Sequence, residues 1–336
     1  MLQRTWHWLV LSGVALLVAM GIVAVIVPSG DYLYVPNPAR PVAERVKVEG
    51  ERSPDATGGV YYVDVTLKRA RWLDRIAPFA RPDGASLVPS HAVTAPGQTF
   101  RQRIAAARTE MNRSEEIAAA VALEAAGLAV DAEPRGALIE SVAVDVPAAA
   151  TLESGDVIVE AAGQPVLTPG ALRNAVEDLD PGDEVRLRLR RNGKPLERTI
   201  RTIAAPDDER RTIIGVSVSQ IARIRLPLDV EIDLGDVGGP SAGLPFALEI
   251  FQALGNDVDR GYRVAATGKV ELDGSVTPVG GIKQKTFGVR SADADVFLVP
   301  AGENAATARR YAGGLRVIGV ETFAEALRVL KTLPDK

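Results

Sequence analysis

Residues 8–27 form an uninterrupted apolar segment, WLVLSGVALLVAMGIVAVIV, that contains no charged side chain. About 20 such residues in a helix are enough to cross the hydrocarbon layer of a bilayer. Tryptophans and tyrosines stand near its two edges, where aromatic side chains meet the membrane interface. A cleavable signal peptide has a shorter apolar core and a small-residue cleavage site, and no such site follows Pro28. The sequence therefore predicts an uncleaved single-pass anchor at residues 8–28.

The charges beside this segment predict its orientation. Arg4 precedes it and Asp31 follows it, and positive charge favours the cytoplasmic side, although Arg40 and Arg45 weaken the bias. We therefore expect the chain in the cell membrane, with the lipid bilayer as the partner of the anchor and the remaining residues outside the cytoplasm.

Composition argues against several kinds of site in the rest of the chain. The net charge of −4, with Lys and Arg scattered among acids, gives no general attraction to nucleic acid. Cysteine is absent and the two histidines are His7 and His91, which excludes a thiolate nucleophile and a metal centre of several imidazoles. The phosphate-binding pattern GxxxxGK(S/T) does not occur, which disfavours nucleotide hydrolysis. We therefore expect no metal, cofactor, nucleotide or nucleic acid.

A chain of 336 residues predicts two or more domains. Strands are predicted at Arg45–Val48 and Val60–Leu67, and they could complete the sheet of the C-terminal domain. A long helix at 100–128 is expected to break near Asn112–Ser114, where the serine could cap a second helix. The predicted divisions are an anchor (8–28), a proline-punctuated stalk (29–44), an α/β region (45–130), a β-rich unit (131–205) and a C-terminal domain (212–336).

The β-rich unit has strands on both sides of one helix. The dipeptide Asn192-Gly193 between two alternating runs predicts a tight hairpin, and the charged segment 205–211 predicts the end of the unit. The string LESGDVIV (152–159), followed by a glycine, a helix and this hairpin, resembles the central signature of PDZ domains in bacterial proteases. In such domains an upstream loop binds a peptide carboxylate, and we place it within 131–137. The alternative is a spacer that binds nothing.

A serine near the start of an apolar helix is the first candidate for chemistry. Pro240 suits the first helical position, and Gly255 suits the residue that stops the helix. Gly238 and Gly239 allow a substrate backbone to come close, and the N-terminal end of a helix directs free N–H groups at an oxyanion. Ser241 is therefore a candidate nucleophile. This pattern alone favours a helix cap or a phosphate site slightly over a nucleophile.

A serine nucleophile needs a base, and a lysine on the next helix could supply it. Gly280 and Gly281 open this helix, and helical spacing places Lys285 on the same face as Ile282, Thr286 and Val289. Lys283 points roughly the other way. Apolar surroundings lower the pKa of a lysine, and the neutral amine could then accept the serine proton. The alternative for Lys285 is an ordinary solvated surface lysine.

The motifs GGPSAG (238–243), TGKV (267–270) and VTPVGGIKQK (276–285), in this order and separation, closely resemble the proteolytic domain of Lon-type peptidases. The resemblance implies Ser241 as the nucleophile, Lys285 as the base and Thr267 as a hydrogen-bond partner that orients the lysine. From the residues alone, Thr267 could be an ordinary strand residue. Many ATP-dependent Lon enzymes have an acidic residue just before the Gly-Pro-Ser sequence, and this chain has VGGPS there. Anchor, PDZ-like unit and peptidase domain together resemble the secreted, ATP-independent bacterial branch of the family.

The sequence thus predicts an α/β (α+β) chain with an N-terminal transmembrane helix, a PDZ-like β-rich domain and a Lon-type proteolytic domain. The predicted activity is ATP-independent endopeptidase hydrolysis of exposed peptide or protein segments through an acyl-enzyme. Peptide or protein substrates and the lipid bilayer are the expected partners, and a homo-oligomer is a further option. The alternative is a catalytically inactive, membrane-tethered scaffold whose PDZ-like domain recruits partners.

Overall fold

A computed structural model describes residues 2–51, 58–93, 100–205, 208–233 and 240–334. The helices in these ranges are α1 (Leu2–Ile26), α2 (Trp72–Ile76), α3 (Ser90–Val93), α4 (Phe100–Ala125), α5 (Pro169–Glu177), α6 (Gly243–Ala253), α7 (Ile282–Ser291), α8 (Glu303–Arg310) and α9 (Phe323–Lys331). The strands are β1 (Pro28–Pro36), β2 (Arg40–Pro41), β3 (Val46–Val48), β4 (Gly59–Tyr62), β5 (Val65–Arg71), β6 (Ser86–Val88), β7 (Asp131–Val142), β8 (Val157–Ala161), β9 (Gln164–Pro165), β10 (Glu184–Arg191), β11 (Lys194–Arg201), β12 (Ile203–Ala205), β13 (Asp208–Ile213), β14 (Val216–Arg225), β15 (Val230–Ile232), β16 (Arg263–Ala266), β17 (Lys269–Val270), β18 (Val276–Thr277), β19 (Val296–Pro300) and β20 (Arg316–Val320).

A five-stranded sheet in the order β2-β4-β16-β19-β20 lies at the centre of the larger domain. The strands from β4 to β20 in this order are parallel. Successive side chains of a strand point to opposite faces. Val264 and Ala266 of β16 therefore pack in the core with α4, α6 and α9, while Ala265 packs with α7 and α8. The domain is a three-layer sandwich whose central strands are buried on both faces.

Strands from the N-terminal part of the chain belong to this domain. β4 pairs in parallel with β16, and β3 pairs with β15. Tyr62 of β4 stacks on Phe246 of α6, with the ring centroids 6.2 Å apart. The larger domain is therefore built from two stretches of sequence that are far apart in the chain.

The segment predicted as a stalk forms β1 over residues 28–36 instead. This strand is the central one of a three-stranded sheet in the order β5-β1-β6. Its prolines stand at the two ends, where a missing N–H donor is tolerated. The single strand predicted at Val60–Leu67 is also wrong. β4 and β5 belong to two different sheets, and the chain passes from one to the other at Val63 and Asp64.

α1 covers the segment predicted to be a membrane anchor. Apolar side chains in its second half are exposed, among them Leu16 at 63% and Ile26 at 67%. Within the part of the chain that the structure describes, no helix combines the length and the apolarity required to cross a bilayer. The anchor stays a prediction.

The β-rich unit has a sheet in the order β11-β10-β8-β7-β14 and a core of its own, to which α5 contributes. The turn between β10 and β11 falls at Asn192 and Gly193, whose φ angles are +51° and +78°, as the sequence predicts. β14 pairs with β7 as far as Arg225, so the sheet extends past the end predicted at 205–211. Because β7 follows α4 and β14 precedes β15, the unit is an insertion in the larger domain.

α4 runs without interruption from Phe100 to Ala125, so the predicted break near Asn112–Ser114 is wrong. Ser114 is 2% exposed and faces α6, where a Cβ added at Gly243 would lie 3.1 Å from its Oγ. The small serine permits close packing of two helices, and it does not begin a new one.

Candidate active site

Ser241 lies in a 3₁₀ turn, Pro240–Ala242, directly before α6. Nearly every residue of α6 is buried, so its N-terminal end is fixed within the domain. Gly255, with a φ of +91°, follows the helix at the stop that the sequence predicts. Gly238 and Gly239 lie outside the described residues, and so does the side chain of Pro240.

Ser241 does not cap α6. The N-cap position belongs to Ala242, where no side chain accepts a hydrogen bond. This overturns the alternative in which the serine serves only to cap the helix. The half-buried serine lines a cavity instead.

The backbone of Ser241 is held by the residues that follow β16. Its carbonyl accepts hydrogen bonds from the N–H of Gly268 at 2.9 Å and from Thr267 Oγ1 at 3.0 Å. A Cβ added at Gly243 would lie only 3.0 Å from Val270 N. This close approach of two backbones accounts for the glycine two residues after the serine.

Lys285 lies in the first turn of α7, after Gly281, whose φ of +72° allows the sharp entry into the helix. Its side chain is 2% exposed, so it is not the solvated surface lysine of the alternative interpretation. Lys283 is only half-buried, and its Nζ donates to Ser86 Oγ at 3.3 Å. The two lysines therefore differ as their positions around the helix predict.

Thr267 connects the lysine to the serine. Lys285 Nζ donates to Thr267 Oγ1 at 2.8 Å, and the same hydroxyl donates to the carbonyl of Ser241 at 3.0 Å. One hydroxyl can accept and donate at once. The three residues are therefore joined by two hydrogen bonds. Thr267 is fully buried and directly follows β16, so it is not an ordinary strand residue.

Burial lowers the pKa of Lys285 to about 7, and the negative charge of Asp64 opposes this change. Asp64 follows β4 and forms an ion pair with Arg40 at 3.1 Å. Its Oδ1 is buried without a hydrogen-bond partner among the described residues. Sequence reasoning missed Asp64, although a lone charged residue in the run VYYVDVTL is a signal that could have marked it.

Ser241 and Lys285 line one cavity of about 900 Å³. Another part of its wall comes from the β-rich unit, with Leu172, Arg173 and Val176 of α5 and residues 213–218. Lys285 Nζ bonds to Thr267 here and not to Ser241 Oγ, and catalytic hydrogen bonds often shorten only when substrate binds. Among the described residues, no group of three or more His, Asp or Glu side chains is arranged to hold a metal ion.

Two families match this chain. Residues 109–202 match the PDZ domain. Residues 229–331 match the Lon protease (S16) C-terminal proteolytic domain. The first match contains most of the inserted β-rich unit, and the second contains Ser241, Thr267 and Lys285.

Individual proteins are similar to the same two parts of the chain. The chain is 33% identical over 106 residues to Lon protease 2 of Bacillus subtilis, which covers 30% of this chain and 19% of that protein. It is 36% identical over 99 residues to a probable periplasmic serine endoprotease DegP-like of Halomonas elongata, covering 29% of this chain and 20% of that one. The solved PDZ domain of the SdrC-like protein from Listeria monocytogenes is 26% identical, with a TM-score of 0.23, and the match covers 25% of this chain and 86% of the domain. The chain thus spans about a fifth of the two relatives' lengths.

Replacement of Thr267 tests the hydrogen bonds at the centre of the site. We expect Thr267→Val to lower the free energy of unfolding by about 1–3 kcal/mol, because Lys285 Nζ loses its buried acceptor. Denaturant unfolding measures the change. The control is Thr332→Val, where an exposed hydroxyl bonds to a helix carbonyl, and the expected change is within about 0.5 kcal/mol. Equal effects at the two positions would contradict this interpretation of Thr267.

Proposed function

We propose that this chain, which joins a PDZ domain to a Lon-type (S16) proteolytic domain, hydrolyses peptide bonds with Ser241 as the nucleophile and Lys285 as the general base. The observation that carries the proposal is the environment of Lys285. Its amine is buried, its pKa is about 7, and Thr267 holds it beside a cavity that the serine also lines. An amine that is partly neutral near pH 7 is what a serine needs for activation.

The reaction begins with proton transfer. A neutral amine has one lone pair and two N–H groups, so Lys285 can donate to Thr267 Oγ1 while its lone pair accepts the proton of Ser241 Oγ. The serine oxygen then attacks the peptide carbonyl, and N–H groups at Ser241 and the preceding glycines stabilise the oxyanion. Lys285 returns the proton to the leaving amine, which leaves an acyl-enzyme. Water, deprotonated by the same lysine, hydrolyses the ester and restores the serine.

The shared cavity supports exposed or unfolded polypeptide as the substrate class. β14 is an edge strand of its sheet, and an extended peptide can add to such an edge by backbone hydrogen bonds. Residues 216–218 of this strand line the cavity together with Ser241. We further propose that the reaction needs no ATP, because no phosphate-binding pattern occurs in the sequence. Substrates then have to arrive already flexible.

Substitution of the two proposed catalytic residues separates a peptidase from an inactive scaffold. A soluble chain that starts at Val27 keeps β1 and is incubated with casein and fluorogenic peptides. We expect Ser241→Ala and Lys285→Ala each to lower kcat/KM by about 100-fold or more, because each removes one partner of the proton transfer.

The matched controls are Lys283→Ala on the same helix and Ser154→Ala, whose hydroxyl bonds to Glu140 O on an exposed part of the β-rich unit. Both are expected to remain active. Absence of cleavage by the unsubstituted chain would favour the scaffold. Full activity of Ser241→Ala would show that another residue is the nucleophile.

The pH profile tests the protonation state of Lys285. Its folded-state pKa is lowered to about 7, and only the neutral form acts as a base, so kcat/KM should rise as pH increases through that value. Asp64→Asn removes the charge that raises this pKa. The rising limb should therefore move to lower pH in the variant. An unchanged midpoint, or a move to higher pH, would contradict the influence of Asp64 on Lys285.

We also propose that the apolar segment 8–28 anchors the chain in a membrane, with the peptidase domain outside the cytoplasm. The support is the charge-free run 8–27 and the similarity to proteins described as periplasmic. In cells, the full chain should stay in the membrane fraction after an alkaline carbonate wash. The chain without residues 2–26 should be released. Extraction of the full chain by carbonate would contradict the anchor.

A further inference from the structure

A buried carboxylate that the proposed chemistry does not use lies at the contact between the two domains. Glu271 follows β17, is 1% exposed, and accepts a hydrogen bond at Oε2 from the N–H of Gly170 at 3.0 Å. Gly170 is in the first turn of α5, in the PDZ domain. A Cβ added there would lie 3.2 Å from the carboxylate oxygen, so the glycine allows this close approach.

The first turn of α5 is capped from both domains. Thr168 of the PDZ domain accepts the N–H of Ala171 at 3.1 Å, and Glu271 of the peptidase domain accepts the N–H of Gly170. Helices begin with N–H groups that have no partner within the helix. Here one of these groups is satisfied by a residue about 100 positions further along the chain, so the contact is specific to this arrangement of the two domains.

Neighbouring residues extend the contact. Gln220 of β14, 1% exposed, accepts the N–H of Leu272 at Oε1 at 3.0 Å and donates to Leu167 O at 3.1 Å. Thr168 Oγ1 bonds to Asp273 Oδ2 at 3.4 Å. Three consecutive residues, 271–273, therefore each make a hydrogen bond with the β-rich unit.

These residues form the turn between β17 and β18, which we name the catalytic hairpin (residues 269–277). The hairpin follows Thr267 and Gly268, the two residues that bond to the Ser241 carbonyl. Its other side is held by the C-terminal segment, where Val276 N donates to Glu321 O at 2.7 Å and Phe323 N donates to Gly274 O at 2.8 Å. The PDZ domain thus completes the set of contacts that fixes the position of the hairpin.

Burial makes the charged form of Glu271 unfavourable at this contact. Burial raises the pKa of Glu271, and the Gly170 N–H and the positive charges of Lys269 and Arg173 only partly oppose the rise. Compared with the unfolded chain, the folded state therefore favours the protonated form of Glu271, so the folded state loses stability as pH rises through the raised pKa. A neutral side chain with the same acceptor oxygen would avoid the cost of a buried charge.

We propose that Glu271 is a positioning residue that fastens the first turn of α5 to the catalytic hairpin, so that the PDZ domain keeps Thr267 and Ser241 in register. The inference rests on the proposed peptidase function. It assigns the PDZ domain a supporting role in catalysis that does not require a peptide in that domain. The contact acts on the catalytic step, so its loss should lower kcat more than it raises KM.

The test compares Glu271→Ala, which removes the acceptor, with Glu271→Gln, which keeps an acceptor oxygen without the charge. With a short fluorogenic peptide, we expect kcat to fall about tenfold or more in Glu271→Ala, because the substitution leaves the N–H of Gly170 without its acceptor at the domain contact. The kcat of Glu271→Gln should stay within about threefold of the value for the unsubstituted chain. The control is Glu184→Ala at an exposed position of the PDZ domain, and its kcat should equal that of the unsubstituted chain.

Hydrogen exchange gives a second measurement that does not depend on activity. In Glu271→Ala, backbone amides of residues 167–172 and 269–277 should exchange faster, while Glu271→Gln should match the unsubstituted chain.

If the unsubstituted chain cleaves nothing, the proposed function fails, and exchange still decides whether the contact exists. Unchanged exchange and kcat in Glu271→Ala would overturn the proposal, and so would a Glu271→Gln variant as impaired as Glu271→Ala. If Glu271→Ala does not fold, Gln220→Ala removes the neighbouring bridge and should show the same two effects.

Discussion

The hydrogen bond from Lys285 Nζ to Thr267 Oγ1 holds the proposed base in position, and the proposed function depends on it. A charged ammonium group that is 2% exposed would be costly to bury, and the lowered pKa resolves the cost by favouring the neutral amine. A neutral amine still needs a partner for its N–H, and Thr267 supplies it. The same environment that favours loss of the proton leaves the amine able to accept another one, as the proposed mechanism requires.

The site exists only because distant parts of the chain meet. β4, from the N-terminal region, pairs with β16 and leads to Asp64, whose charge acts on Lys285. α4 packs against α6 through Ser114 and Gly243. The PDZ domain is inserted between these elements, so its helix α5 lines the cavity that Ser241 and Lys285 also line. The two domains therefore share one cavity, as the proposed peptidase function requires.

Local patterns predicted the centre of the site better than its surroundings. Helical spacing separated the buried Lys285 from Lys283, and the glycine and proline pattern placed Ser241 at the start of a helix. The influence of Asp64, the unbroken course of α4 and the contact of Glu271 with Gly170 could not be predicted, because each results from contacts between residues far apart in sequence. β1 was missed for the same reason. Its prolines suggest a stalk, but the segment forms a strand because it pairs with β5 and β6.

Direct titration of Lys285 tests whether its amine is neutral near pH 7. The full chain is labelled with ¹³C at the lysine ε-carbons, and the signal of Lys285 is identified by its absence in Lys285→Ala. We expect a pKa of about 7 for Lys285 in the folded protein, compared with the ordinary value of 10.5. If the Lys285 signal shows a charged ammonium group until the pH approaches 10.5, the proposed role of Lys285 is contradicted. Ser241 would then have no neutral lysine to act as its base at pH 7.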